Sequence, residues 1–109
     1  MSAPKTYYFV AASRKFLIET EPLAETLKER RQNYLARQKE IDFWLVERPA
    51  FLEAPQLQSI RQQIPSPAAA VISTDRQMIT WLKLRLEFVA TGEFLAPTDE
   101  IPDPLASVA

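Results

Sequence analysis

Four apolar runs of six to eight residues, alternating with stretches of helical periodicity, constrain this chain more than any other feature. They are TYYFVAA (6–12), IDFWLV (41–46), AAAVIS (68–73) and FVATGEFL (88–95). Each is short and bounded by polar residues or proline, which suits strands. After the first run, RKFLIETE offers one or two loose helical turns. Pro22 then fits the first position of a helix over 22–38, with Thr20 or Glu21 as its start signal. Leu23, Ala24, Leu27, Tyr34 and Leu35 supply that helix's apolar face, and Glu25, Lys28, Glu29 and Arg30 its wet face. Pro49 stops the second strand. Residues 53–64 read as a shorter helix through Leu57, Ile60 and Ile64, closed by Pro65 and Pro67. Ser73, Thr74 and Asp75 offer caps for a third helix over 76–86.

The third run reads as small on one side and branched on the other. Gly92, the single glycine, marks a bulge or a close approach of backbone in the fourth strand. Pro97, Pro102 and Pro104 keep the tail extended, with Ile101 and Leu105 as pins to the body. Strand and helix alternate, which suggests a layered α/β sandwich. The first and third runs are apolar on both sides, so both sheet faces should be covered. Periodicity leaves strand direction open. The passage from helix to strand at Glu87 is too tight to assume a parallel crossover.

At 109 residues the chain fits one domain, 1–109, with 1–5 and about 97–109 as extended termini. It contains neither cysteine nor histidine. Disulfides, thiolate chemistry, zinc–thiolate sites, the commonest general base and any Ser-His-Asp triad are thereby excluded. One glycine cannot build a phosphate-binding GxGxxG or Walker loop. The candidate acids are Asp42, Glu53, Asp75, Glu19 and Glu21, and without histidine none sits in an ExxH di-iron motif. Tyr7, Tyr8, Phe9, Phe43 and Trp44 could line a pocket for a flat ring, although clustered strand aromatics are more often core. The residues point to a protein that is not an enzyme and holds no cofactor. A net charge of -1 without a basic stripe gives no reason to expect nucleic acid. No run approaches the roughly 18 apolar residues of a membrane span. MSAPKTYYFV lacks the layout of a signal or transit peptide, so a soluble intracellular protein is the expectation.

Within TWLKLRLEF (80–88), Arg85 poses a specific question. Advancing about 100° per residue from Met78, Leu82, Leu86 and Ile79 fall at about 40°, 80° and 100°, Trp81 at about 300° and Arg85 at about 340°. Arg85 thus lies in the apolar arc, whereas Lys83 is ordinary surface. An arginine there either pairs with a carboxylate such as Asp42 or Asp75, stands in an interface beside Trp81, or clamps an anion. Asp42 is a second such residue. Strand alternation sets it on the face of Trp44, opposite Ile41, Phe43 and Leu45. It is either a solvated strand-end carboxylate or a polar handle beside an aromatic anchor, Phe43 or Trp44.

TYYFVAAS, IDFWLVERPAFLEAP, PAAAVISTD, ITWLKLRLEFVATGEF and IPDPLAS together resemble the small cyanobacterial and plastid "hypothetical chloroplast reading frame" proteins. These accompany the oxygen-dependent magnesium-protoporphyrin IX monomethyl ester cyclase. The resemblance spans nearly the whole chain. It implies an α+β single-domain sandwich, a four-stranded, mainly antiparallel sheet packed with about three helices, and a Pro-rich extended tail. It also implies a non-catalytic accessory or assembly role in chlorophyll biosynthesis, with no catalytic, cofactor or metal site. The implied partner is the membrane-associated di-iron catalytic subunit, with other chlorophyll-biosynthesis enzymes as further partners. The implied location is the cyanobacterial cytoplasm or plastid stroma, peripheral to the thylakoid membrane through that partner. Asp42, Phe43, Trp81 and Arg85 are the expected partner-binding residues. The alternative is a carrier that delivers the magnesium porphyrin, using the aromatic residues and Arg85 as a propionate partner.

Overall fold

The computed structural model describes residues 3–21 and 23–108. Its four strands are β1 (Lys5–Ser13), β2 (Phe43–Glu47), β3 (Ala68–Ser73) and β4 (Ala90–Ala96), in the sheet order β2-β3-β1-β4. The two runs that are apolar on both sides, β1 and β3, take the centre, where β3 is buried throughout and β1 from Phe9 to Ala12. They pair antiparallel with Val10 opposite Val71. β4 pairs antiparallel with β1, and β2 with β3. It follows that β3 and β4 run parallel without touching, with β1 between them. The helix α3 (Arg76–Leu86) carries the chain over β1, which resolves the tight passage at Glu87. A second interlocked crossover, from β1 to β2 through α1 (Leu23–Ala36), completes the ferredoxin-like split βαβ topology. The expected four-stranded antiparallel sheet with about three helices is the fold observed.

One face of the sheet is covered by α1, α3 and a π-helical turn at Lys15–Thr20. They enclose Val10, Leu17, Leu27, Phe43, Val71 and Leu82. The other face lies under two 3₁₀ turns (Ala50–Glu53 and Pro55–Leu57), the short α2 (Gln58–Gln62) and the tail. These bury Phe9, Phe51, Leu52, Ile72, Phe94 and Ile101. Burial of each such side chain contributes about 1.5–3 kcal/mol, so two cores flank one sheet.

Several expectations need correction. The helix expected over 53–64 is broken because Pro55 can neither donate an interior hydrogen bond nor avoid the preceding carbonyl; the segment restarts there as a 3₁₀ turn. The expected Leu35 and Ala24 contacts are absent, both residues being exposed on α1. The faces of β3 do not split into small and branched, since Ile72 joins one core and Val71 the other. β4 begins two residues later than its apolar run. Gly92 marks a close approach rather than a bulge, for the β1–β4 register runs unbroken past it opposite Phe9. Pro22 lies outside the described residues. The tail is pinned at Ile101 as expected, and beyond it Ser107 bridges Pro49 while the Val108 amide donates to the Arg48 carbonyl at 2.8 Å.

Candidate partner-binding site

The site begins where β3 ends. Ser73 Oγ donates to the Asp42 carbonyl at 2.9 Å and accepts from the Asp75 amide at 2.9 Å. The Thr74 amide donates to the same Asp42 carbonyl at 3.2 Å. Asp75 in turn caps α3 by accepting from the Gln77 amide at 2.9 Å. One buried serine therefore fixes both the start of α3 and the residue that leads into β2.

With its backbone held, the Asp42 carboxylate turns towards α1. It accepts from the Tyr34 hydroxyl at 3.0 Å, and Lys39 Nζ approaches to 3.9 Å. This overturns the placement of Asp42 beside Trp44. β2 starts at Phe43, so strand alternation does not govern the residue before it. Tyr34 meets Phe43 edge-on, with ring centroids 5.2 Å apart, and Lys39 Nζ lies 4.4 Å from the Tyr34 ring centre. Burial first, and then the Asp42 carboxylate, push the Tyr34 hydroxyl above its ordinary value. Phe43 is wholly buried (0% exposed). Its ring supports Tyr34 and Asp42 from beneath and presents no surface of its own.

Trp81 is half-buried on α3 and carries two guanidinium groups, Arg30 from α1 at 4.8 Å and Arg85 at 5.8 Å from the ring centre. Arg85 is exposed, and among the described residues no carboxylate lies within ion-pairing distance of it. An internal pair with Asp42 or Asp75 is thus excluded. The buried side of α3 is Met78, Ile79, Leu82 and Leu86, which leaves Arg85 and Trp81 at the rim of the arc. Arg85 shares a shallow cavity of about 260 Å³ with Glu21, Leu23, Thr26 and Leu86.

Arg30 is expected on the wet face of α1, with Glu25, Lys28 and Glu29. It instead turns inward over Trp81, and its buried Nε has no hydrogen-bond partner among the described residues. The signal was present in the spacing, because Arg30 follows Leu23 and Leu27 by seven and three residues, in the middle of the apolar stripe. Arg31, next along, lies over Phe43 at 5.7 Å. Adjacent arginines of α1 thus link the Asp42–Phe43 pair to the Trp81–Arg85 pair. Lys83 is likewise more than ordinary surface, since its Nζ donates to the Glu87 and Val89 carbonyls at 2.7 and 2.8 Å. The aromatics that suggested a porphyrin pocket are largely spent on the opposite core. There Phe9 packs on Phe51 at 4.8 Å, Phe51 on Phe94 at 4.5 Å and Tyr7 on Phe94 at 5.6 Å.

Residues 5–96 match the family described as Ycf54 protein. The chain belongs to the Ycf54 family. Its relatives include a Ycf54-like protein of Synechocystis sp., 56% identical over 94% of this chain and 77% of that one. A second is the chloroplastic YCF54 of Arabidopsis thaliana, 38% identical over 93% of this chain and 46% of that one. Among solved structures, the All0216 protein of Nostoc sp. PCC 7120 superposes with a TM-score of 0.95 at 60% identity, covering 100% of both chains. The Ycf54 protein of Synechocystis sp. PCC6803 gives 0.94 at 54% identity, over 97% of this chain and 99% of that one. Ycf54 relatives thus occur in cyanobacteria and in chloroplasts. Among the described residues of this Ycf54 chain, no helix is long and apolar enough to cross a membrane.

Proposed function

We propose that this Ycf54-family chain is a non-catalytic accessory or assembly factor of the oxygen-dependent magnesium-protoporphyrin IX monomethyl ester cyclase. It acts by docking the di-iron catalytic subunit. Asp42, Trp81 and Arg85 meet the partner, and Phe43 holds the Tyr34–Asp42 end of the surface in shape. The observation that carries this reading is the half-exposed Trp81 bracketed by Arg30 and Arg85, neither of them ion-paired among the described residues. Tryptophan and arginine are the residue types on which interface energy concentrates. A chain without histidine or cysteine is also poorly supplied for chemistry of its own. Through that subunit the protein sits at the thylakoid surface, in cytoplasm or stroma, and meets other chlorophyll-biosynthesis enzymes. Tagged protein retrieved from photosynthetic membranes and read by mass spectrometry tests this. The di-iron subunit should co-purify, and its absence from repeated retrievals contradicts the reading.

A further inference from the structure

The last turn of α3 is built in an unusual way. Glu87 adopts φ 61° and ψ -57°, and the Phe88 amide donates to the Leu86 carbonyl at 2.7 Å, which closes a three-residue γ-turn of positive φ. That conformation is rare and strained for a residue with a side chain. Lys83 braces it by donating to the carbonyls on both sides of Phe88. The outcome is that Leu86 and Val89 are buried while Phe88, between them, is 79% exposed. The braced turn ends α3 and leads into β4 with Leu86 and Val89 buried, and it leaves the Phe88 ring in solvent. Leu84, one turn earlier, is 75% exposed.

We propose that Phe88 is the anchor of the docking surface, and that it engages an amphipathic helix of the partner carrying a carboxylate beside its apolar stripe. This rests on the accessory-factor reading above. Trp81, Leu84 and Arg85 stand at i, i+3 and i+4 on α3, the spacing by which one helix presents a face to another, and the turn at Glu87 carries Phe88 just past the helix end. Phe88 also walls a cleft of about 410 Å³ with Phe16, Ile64 and Val89, which gives an incoming apolar side chain a place beside the ring. The carboxylate follows from charge. Trp81 is bracketed by Arg30 and Arg85, neither in an ion pair among the described residues, although Glu21 shares the cavity beside Arg85 and Glu87 follows Leu86. A second copy of this chain, docked about a two-fold axis, would set this arginine rim against itself. Holding the ring on a braced turn also reduces the conformational freedom lost on binding.

The test measures binding of the purified chain to the detergent-solubilised di-iron subunit, with thermal midpoints recorded in parallel. Phe88→Ala should weaken binding about 30-fold with an unchanged midpoint, as for an exposed hot-spot residue. Phe88→Leu should stay within about threefold of wild type, and Lys83→Met, which frees the turn, should lose about tenfold. Added salt should weaken the wild type and have less effect on the Arg30→Gln/Arg85→Gln pair. If the wild type binds and Phe88→Ala binds equally well, the anchor is overturned while the accessory reading stands. If salt has no effect, the carboxylate is overturned. If the wild type does not bind, both readings fall. Self-association abolished by Phe88→Ala, without subunit binding, assigns the surface to a second copy and overturns the proposal.

Discussion

Replacing Gly92 by alanine sets two effects of opposite sign against each other, and the structure decides between them. A Cβ built there meets Phe9 Cζ at 2.8 Å, Phe9 Cε2 at 3.0 Å and Ile60 Cδ1 at 3.1 Å. The backbone is not the obstacle, since Gly92 does not have a positive φ. Alanine also restricts the unfolded chain, which favours folding by about 0.4–1 kcal/mol. The tip of Ile60 is half-buried and can swing aside. Phe9 cannot, because it is wholly buried, with the rings of Phe51 and Phe94 centred 4.8 and 6.1 Å away. Overpacking of this kind costs about 1–3 kcal/mol. The net expectation is a loss of about 1–2 kcal/mol, which in a domain of this size lowers the melting temperature by roughly 5–15 °C. Calorimetry of Gly92→Ala measures it. In a Phe9→Leu background the same substitution should cost about 1 kcal/mol less, because the atoms it strikes are gone. A melting temperature at or above wild type, or an equal decrement in both backgrounds, refutes the reasoning.

Phe43→Ala should cost about 3–5 kcal/mol and bring the protein close to unfolding at ambient temperature, which chemical denaturation will read. That result separates Phe43, a support, from the exposed Arg85. Tyr34→Phe should cost about 1 kcal/mol through the lost bond to Asp42, measured by the same method. The Tyr34 hydroxyl ionises above 10.0 in the folded chain, so the unfolded chain loses that proton first as pH climbs. The stability contributed by the neutral hydroxyl is intact below 10.0 and is lost as pH rises through the folded value. The gap in melting temperature between wild type and Tyr34→Phe should therefore hold below that pH and narrow above it. The phenolate absorbance of wild type minus Tyr34→Phe should rise on the alkaline side of the ordinary tyrosine midpoint.

Local pattern was enough to place the central strands and the third helix. AAAVIS coincides with β3 and residues 76–86 with α3, because in both the period of the apolar residues matches the element and a cap or proline marks its ends. Strand order was not legible, since the periodicity of a strand says which faces are buried and nothing about its neighbours. The antiparallel sheet came from the resemblance and is confirmed by the register. Residues 53–64 misled because the spacing of Leu57, Ile60 and Ile64 survives the break at Pro55. At the site, Arg85 is exposed rather than inside the apolar arc where the helical projection puts it. A helical projection ranks residues around an axis and does not fix where the neighbouring helix ends, and the rim of α3 proves to be open. Arg30, Tyr34 and the braced Phe88 depend on contacts between α1, α3 and β2, or on a backbone angle at Glu87, and no short window of sequence contains these.

On the proposed function, this chain works by presenting the face of α1 and α3 to another polypeptide. The most direct measurement is the affinity of the purified protein for the purified di-iron subunit, with Arg85→Ala beside wild type. Arg85 is exposed, and an exposed cation–π contact contributes about 0.5–1 kcal/mol. The variant should therefore melt within roughly 8 °C of wild type, while its affinity falls about 30-fold or more, as at an interface hot spot. An Arg85→Ala protein that binds as tightly as wild type, or a purified wild-type chain that by itself converts a tetrapyrrole, contradicts the account.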